Sequence, residues 1–214
     1  MLKNLLLITA LILSLFSYLY LLFQYLNNKH KKIEKYTGFD IAKEITNDYD
    51  NINIVESKEV YISKYNTKRK VIRLTKNTYN SNNFFSLAIA LILSGYSKLD
   101  VSKDKSIQLV SRVFNNLDFL DKSILISLLL SSITNSIGDS KILIIILIII
   151  SIYQYLLLDI NEKIKEYVND NNKILADNFK NINKIMNKII YTRKLFFISN
   201  LILILRQAII ILKI

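Results

Sequence analysis

The stretch 64-KYNTKRKVIRLTKNTYNSNNFFSLAIALILSGYSKL-99 decides how the rest of the chain is read. Arg69–Thr75 is a short Val- and Ile-containing run, and Glu59–Ser63 before it is another. Joined by the polar KYNTK segment, the two read as a β-hairpin. Phe84–Gly95 follows as a helix that is apolar almost all round, a pattern that argues for burial on every side. At about a dozen residues it is shorter than the roughly 20 needed for a membrane span.

Outward from this stretch lie long uncharged runs. Leu5–Phe23 has 19 residues without a charge, enough to cross about 30 Å of hydrocarbon as a helix, and it ends at the basic cluster Lys29, His30, Lys31, Lys32. A secretory signal would have a shorter apolar region followed by a small-residue cleavage site, so the run reads as an uncleaved anchor over residues 1–28 with its amino terminus outside. Ser123–Gly138 and Ile142–Leu158, of 16 and 17 residues, flank Asp139-Ser140-Lys141 and read as a transmembrane hairpin over 123–158. Leu195–Leu212 is a last span interrupted by Arg206, placed in the segment 195–214. A charge deep in lipid costs on the order of 2.5–3.5 kcal/mol on insertion scales, so Arg206 is expected to snorkel, meet an acid or line the bundle.

Between the spans lie the polar segments, residues 29–122 and 159–194. Thr37-Gly-Phe-Asp40 has the spacing of a helix start in which threonine and acid cap each other. Asp100–Lys122 is mixed and charged, helical by pattern at Ile107, Val110, Val113 and Phe114. Asn161–Lys194 reads as a basic amphipathic helix with Ile164, Val168, Leu175, Phe179, Ile182, Ile185 and Ile189 on its apolar stripe. That stripe would lie on an anionic membrane face or pack against the 84–97 helix as core. The fold class expected is a mostly α membrane protein, with about four transmembrane helices and a small α+β part holding one hairpin.

The 214 residues are 51% hydrophobic and contain no cysteine and one histidine, His30. Disulfides, thiolate metal sites and multi-histidine sites are thereby excluded. The net charge of +12 does not point to nucleic acid. Of 29 Lys and Arg, 17 lie between residues 24 and 122 and 8 between 159 and 194. Charge confined to the segments between spans is the positive-inside pattern, which places both polar segments in the cytoplasm. No basic helix with stacking aromatics accompanies it. Three glycines leave no material for a phosphate-binding loop.

The central stretch resembles the YugP-type neutral zinc metallopeptidase family of bacterial membrane proteins. The match runs without a gap from Tyr65 to Tyr96, with Tyr65, Lys70, Arg73, Leu74, Tyr79, Ala88, Ala90 and Gly95 on the family pattern, and TGFDIAKEI at 37–45 resembles the start of the family's soluble part. The resemblance implies a zincin-like fold for residues 29–122 and a plasma-membrane location. It also implies a His-Glu-x-Gly-His helix at 84–97, and there the chain departs. On this register the two zinc-binding histidines fall on Ile92 and Tyr96, and the general-base glutamate falls on Leu93. Two imidazoles four residues apart share a helical face, with a carboxylate beside them to take a proton from metal-bound water. Ile and Leu have no lone pair, and a tyrosine ligates only as a phenolate, far from its reference pKa of about 10.

The family's third, acidic ligand is matched by Asp159, as a remnant position or as a solvated helix cap. No metal ligand, no catalytic residue and no cofactor are therefore expected in this chain, whereas the family uses zinc. The function this implies is that of a membrane-embedded, catalytically inactive relative, with a peptide or membrane-protein partner. In zinc peptidases a strand beside the metal helix pairs with extended substrate, so the hairpin would hold a peptide by its edge or simply roof the helix. The alternatives are an active peptidase with atypical ligands and a structural subunit of a membrane complex.

Overall fold

A computed structural model describes residues 2–33, 35–47, 49, 51–57, 62–113, 115–118, 141–170 and 179–212. In chain order the elements are α1 (Leu2–Asn28), α2 (Gly38–Thr46), β1 (Asn53–Ser57), β2 (Lys64–Asn66), β3 (Val71–Thr75), α3 (Lys76–Tyr79), α4 (Phe84–Val101), α5 (Lys105–Val113), β4 (Asn116–Asp118), α6 (Lys141–Asp170) and α7 (Phe179–Ile211).

The hub is α4. Asn83 caps it, accepting the Ser86 amide at 2.8 Å. Every residue from Phe85 to Ser97 is buried. Around it stand α2, the sheet, α5, the second half of α6 and the first half of α7. Among the described residues four helices are long and apolar enough to cross a membrane: α1, α4, Leu143–Val168 and Lys180–Ile211. The membership of α4 in this set differs from the sequence reading, because the helix runs 18 residues rather than a dozen. Its surroundings are protein on all sides, as its apolar circumference requires. The first arm of the transmembrane hairpin expected over 123–158 lies outside the described residues.

A mixed four-stranded sheet, in the order β1-β3-β2-β4, covers one side of α4. Tyr65, Ile72 and Leu74 are fully buried beneath it. The hairpin differs from expectation in register. Its first strand is β2, inside the KYNTK segment taken as the turn, and the turn is displaced to Thr67–Lys70. The Asn66 side-chain oxygen accepts the Arg69 amide at 2.7 Å, an Asx turn that fixes the reversal, and Lys70 completes it at a φ of 53°. Glu59–Tyr61, expected in the first strand, lies outside the described residues. Both hairpin strands are inner strands, since β1 runs parallel to β3 and β4 antiparallel to β2. Neither can offer a free edge to an extended peptide.

The capping box at the start of α2 is present as expected. Asp40 Oδ2 accepts the Thr37 amide at 2.8 Å, and Thr37 Oγ1 accepts the Asp40 amide at 3.3 Å. Gly38, the first helical residue, is required by a close approach: a Cβ there would lie 2.0 Å from the Thr78 carbonyl oxygen of α3.

α1 packs along α7, and α7 along α6. Leu7, Ala10, Leu143, Leu147 and Leu203 form a second apolar core there. Small and polar residues let these helices approach and bond across the seam. Ser14 and Ser199 share a hydrogen bond of 2.6 Å, and Asn200 Nδ2 donates to the Leu147 carbonyl at 3.0 Å. Arg206 lines the bundle, one of the three outcomes expected for it, with Nε donating to the Lys3 carbonyl at 3.1 Å.

Both long helices continue through the positions where the sequence suggested a division. α6 runs unbroken past Leu158, and α7 runs unbroken past Lys194. What read as one amphipathic helix over 161–194 is the end of α6 and the beginning of α7, with residues 171–178 outside the described set. Its stripe residues Ile164, Val168, Ile182, Ile185 and Ile189 belong to the core around α4. Of the two placements expected for that stripe, packing against the 84–97 helix is the one observed.

Candidate functional site

The face of α4 that carries Ile92 and Tyr96 meets α6 and α7. Ile92, Leu93 and Tyr96 are all fully buried. Gly95 sits between them and α6, where an added Cβ would come within 2.6 Å of Ile164 Cγ2 and 2.8 Å of its Cγ1. The glycine shared with the family pattern thus has a packing role of its own here: it lets α6 close onto α4.

At this contact three polar side chains meet inside an otherwise apolar core. Arg193 of α7 donates through Nη1 to Tyr96 Oη at 2.6 Å and to Asn161 Oδ1 at 2.7 Å. Tyr96 Oη donates to Asn161 Oδ1 at 3.2 Å, and Asn161 Nδ2 donates to the Leu157 carbonyl at 2.6 Å. Arg193 is only 6% exposed and Asn161 not at all. A buried guanidinium requires oxygen acceptors, and this cluster supplies two.

Asp159 is not part of the cluster. It lies one helical face away, accepting from Ser106 Oγ at 2.5 Å and pairing with Lys163 at 2.7 Å, while Lys163 also pairs with Asp104 at 2.8 Å. Because α6 continues through it, Asp159 is not a helix cap either; it ties α6 to the start of α5. His30 lies exposed in the turn after α1, one residue before Lys31, whose carbonyl accepts the Phe84 amide at 3.0 Å at the start of α4.

Sequence reasoning missed Asn161 and Arg193. A signal for both exists. Leu157, Ile160, Ile164 and Val168 are the buried hydrophobic positions of the second half of α6, and Asn161 falls on their stripe by three- and four-residue spacing while Asp159 falls off it. Arg193 likewise continues the stripe Ile182, Ile185, Met186, Ile189, Ile190 of α7. A charge on an apolar stripe announces a buried partner.

The donor set does not fit a zinc ion. Ile92 and Leu93 carry no lone pair, and the phenol and amide oxygens that remain are already engaged by a fixed positive charge. Among the described residues no group of three or more His, Cys, Asp and Glu side chains is placed to hold a metal.

Two further features border α4. Tyr65 Oη donates to Asp100 Oδ2 at 2.7 Å, and Lys70 pairs with the same carboxylate. Burial, then the hydrogen bond and charge of Asp100, push the Tyr65 phenol far above its ordinary range, so it stays a donor. At the other end of α4, a cavity of about 300 Å³ opens between α1 and the hairpin. Tyr18, Leu22 and Tyr25 of α1 form one wall and Phe85 and Ile89 of α4 another. Its polar corner is a knot of hydroxyls in which Ser63 donates to Thr78 at 3.2 Å and Thr75 and Thr78 are 2.9 Å apart.

The model of a family described as "Putative neutral zinc metallopeptidase" matches residues 4–211, nearly the whole chain. No curated protein and no solved structure matches it.

Proposed function

The chain belongs to the neutral zinc metallopeptidase family, and from that premise we propose that it is a membrane-embedded member without peptidase activity, kept for binding rather than hydrolysis. One observation carries the proposal. Where the family resemblance puts the metal ligands and general base, this chain has Ile92, Leu93 and Tyr96, closed over by the Arg193–Tyr96–Asn161 cluster. Water activation by zinc needs lone-pair donors, an open coordination position and a base to receive the proton. A buried guanidinium provides none of these, and its charge opposes a divalent cation. Arg193 acts here as an internal counterpart to the metal: a permanent cation that holds α4, α6 and α7 together.

The binding partner proposed is a peptide or the segment of another membrane protein. The cavity between α1 and the hairpin supports it, since it offers apolar walls with a hydroxyl corner, the mixture typical of sites that hold a ligand by burial and orient it by a few polar groups. Such a protein serves as a scaffold in a membrane assembly, with its basic segments in the cytoplasm. The test is hydrolysis of an unfolded protein substrate by the purified full-length chain in zinc-containing buffer. No cleavage above a protein-free control is expected; cleavage abolished by a chelator and restored by zinc would overturn the proposal.

A further inference from the structure

The first half of α7 presents Lys180, Lys184 and Lys188 at four-residue spacing, so they rise along one face. That face continues with Tyr191, Leu195 and Ile198. The side chains along it therefore change from lysine through tyrosine to hydrocarbon over about 27 Å, at 1.5 Å per residue. Tyr191 and Ile198 are exposed, 51% and 45%.

The lysines line an open groove of about 680 Å³, closed on one side by Tyr20 of α1, whose ring meets that of Tyr191 edge-on at 6.4 Å. Next to Tyr20, Phe16 stacks at 6.1 Å and is itself exposed, extending the apolar part of the seam on the α1 side. Lys188 is steadied by Gln24, to which Nζ donates at 3.0 Å. No acidic residue occurs anywhere in α7, and among the described residues none pairs with Lys180, Lys184 or Lys188.

Three ammonium groups, a pair of interfacial phenols and a hydrocarbon-lined seam follow one another in the order of the parts of a phospholipid. We infer that this groove is a binding site for one anionic phospholipid. Its phosphate and headgroup lie among Lys180, Lys184 and Lys188, its glycerol region lies at Tyr20 and Tyr191, and an acyl chain follows the α1–α7 seam past Phe16 and Ile198. Anionic headgroups attract basic residues at a membrane surface, and aromatic rings with one polar end favour the same depth. The site does not depend on whether the chain is a peptidase.

The test uses the full chain in detergent, stripped of lipid, titrated with short-chain phosphatidylglycerol, with phosphatidylcholine and with inorganic phosphate, and read by native mass spectrometry of bound adducts. Phosphatidylglycerol is expected to bind at one per chain, phosphatidylcholine weakly and phosphate not measurably. K180Q/K184Q/K188Q is expected to weaken phosphatidylglycerol binding by roughly tenfold or more, K180R/K184R/K188R to retain it, and K29Q/K31Q/K32Q to leave it nearly unchanged. K180Q/K184Q, which spares the Gln24 contact, should show a smaller loss and guards against a folding defect in the triple variant. Equal binding of phosphatidylcholine, binding of free phosphate as tight as that of the lipid, or equal losses in the two triple glutamine variants would each overturn the inference.

Discussion

Gly95→Ala tests how α4 and α6 are joined, because two effects of opposite sign meet at one methyl group. In an isolated helix the change stabilises by up to about 1 kcal/mol. Here the new Cβ would stand 2.6 and 2.8 Å from the two γ carbons of Ile164. Favourable carbon contacts lie near 3.5–4.0 Å, so the gap is short by roughly an ångström. Both γ carbons branch from the same Cβ, and rotating one away brings the other in. The helices must therefore part, and overpacking of this kind costs about 1–3 kcal/mol. Overpacking wins, leaving a net loss of about 1–2 kcal/mol. At about 2–4 °C per kcal/mol for a chain of this size, melting followed by circular dichroism in detergent should fall by about 2–8 °C. Gly95→Ala combined with Ile164→Ala should be less destabilised than the sum of the single changes, since the second removes the atoms the first collides with. A Gly95→Ala protein that melts higher than the parent would refute the close approach of α6 to α4.

Arg193→Gln should destabilise by about 1–3 kcal/mol, the cost of leaving buried oxygens without their donor; a melt unchanged from the parent would mean that the Tyr96–Asn161 pair does not need the guanidinium. Tyr65→Phe removes a hydrogen bond to the Asp100 carboxylate and should cost about 1.5–3 kcal/mol. The same phenol gives the protein an alkaline sensitivity. Its folded pKa is raised, so its contribution is complete below the unfolded value of about 10 and declines as pH rises above it. Melts at pH 8 and 11 should therefore converge between the parent and Tyr65→Phe at the higher pH, and a constant difference would count against the shift.

Features set by local rules were legible in the sequence itself. The Thr37–Asp40 capping box, the long apolar helix α1 and the burial of α4 each follow from spacing or composition within one segment. The hairpin was legible in kind but not in register, because Asn66 and Lys70 make a tight turn whose geometry outweighs the polar look of KYN. The parallel addition of β1 and the pairing of β4 depend on contacts across 18 and about 50 residues, which no local pattern encodes. The continuity of α6 and α7 was hidden by the charges that begin at Asp159 in α6 and end at Lys194 in α7. Those charges mark where the chain's polarity changes, while the apolar stripe of the core carries the helix on. At the site, Asp159 drew attention as the match to the family's acidic ligand, but helical phase gives the core position to Asn161, two residues later, and brings Arg193 to it from another helix.

The most direct measurement of the account is the zinc content of the full chain, purified in detergent, equilibrated with zinc and then dialysed into chelator-free, zinc-free buffer before elemental analysis. The Arg193–Tyr96–Asn161 cluster predicts well under one zinc per chain, with no change on Tyr96→Phe. One tightly held zinc per chain, lost on Tyr96→Phe or Asn161→Ala, would contradict it and return the protein to the peptidases.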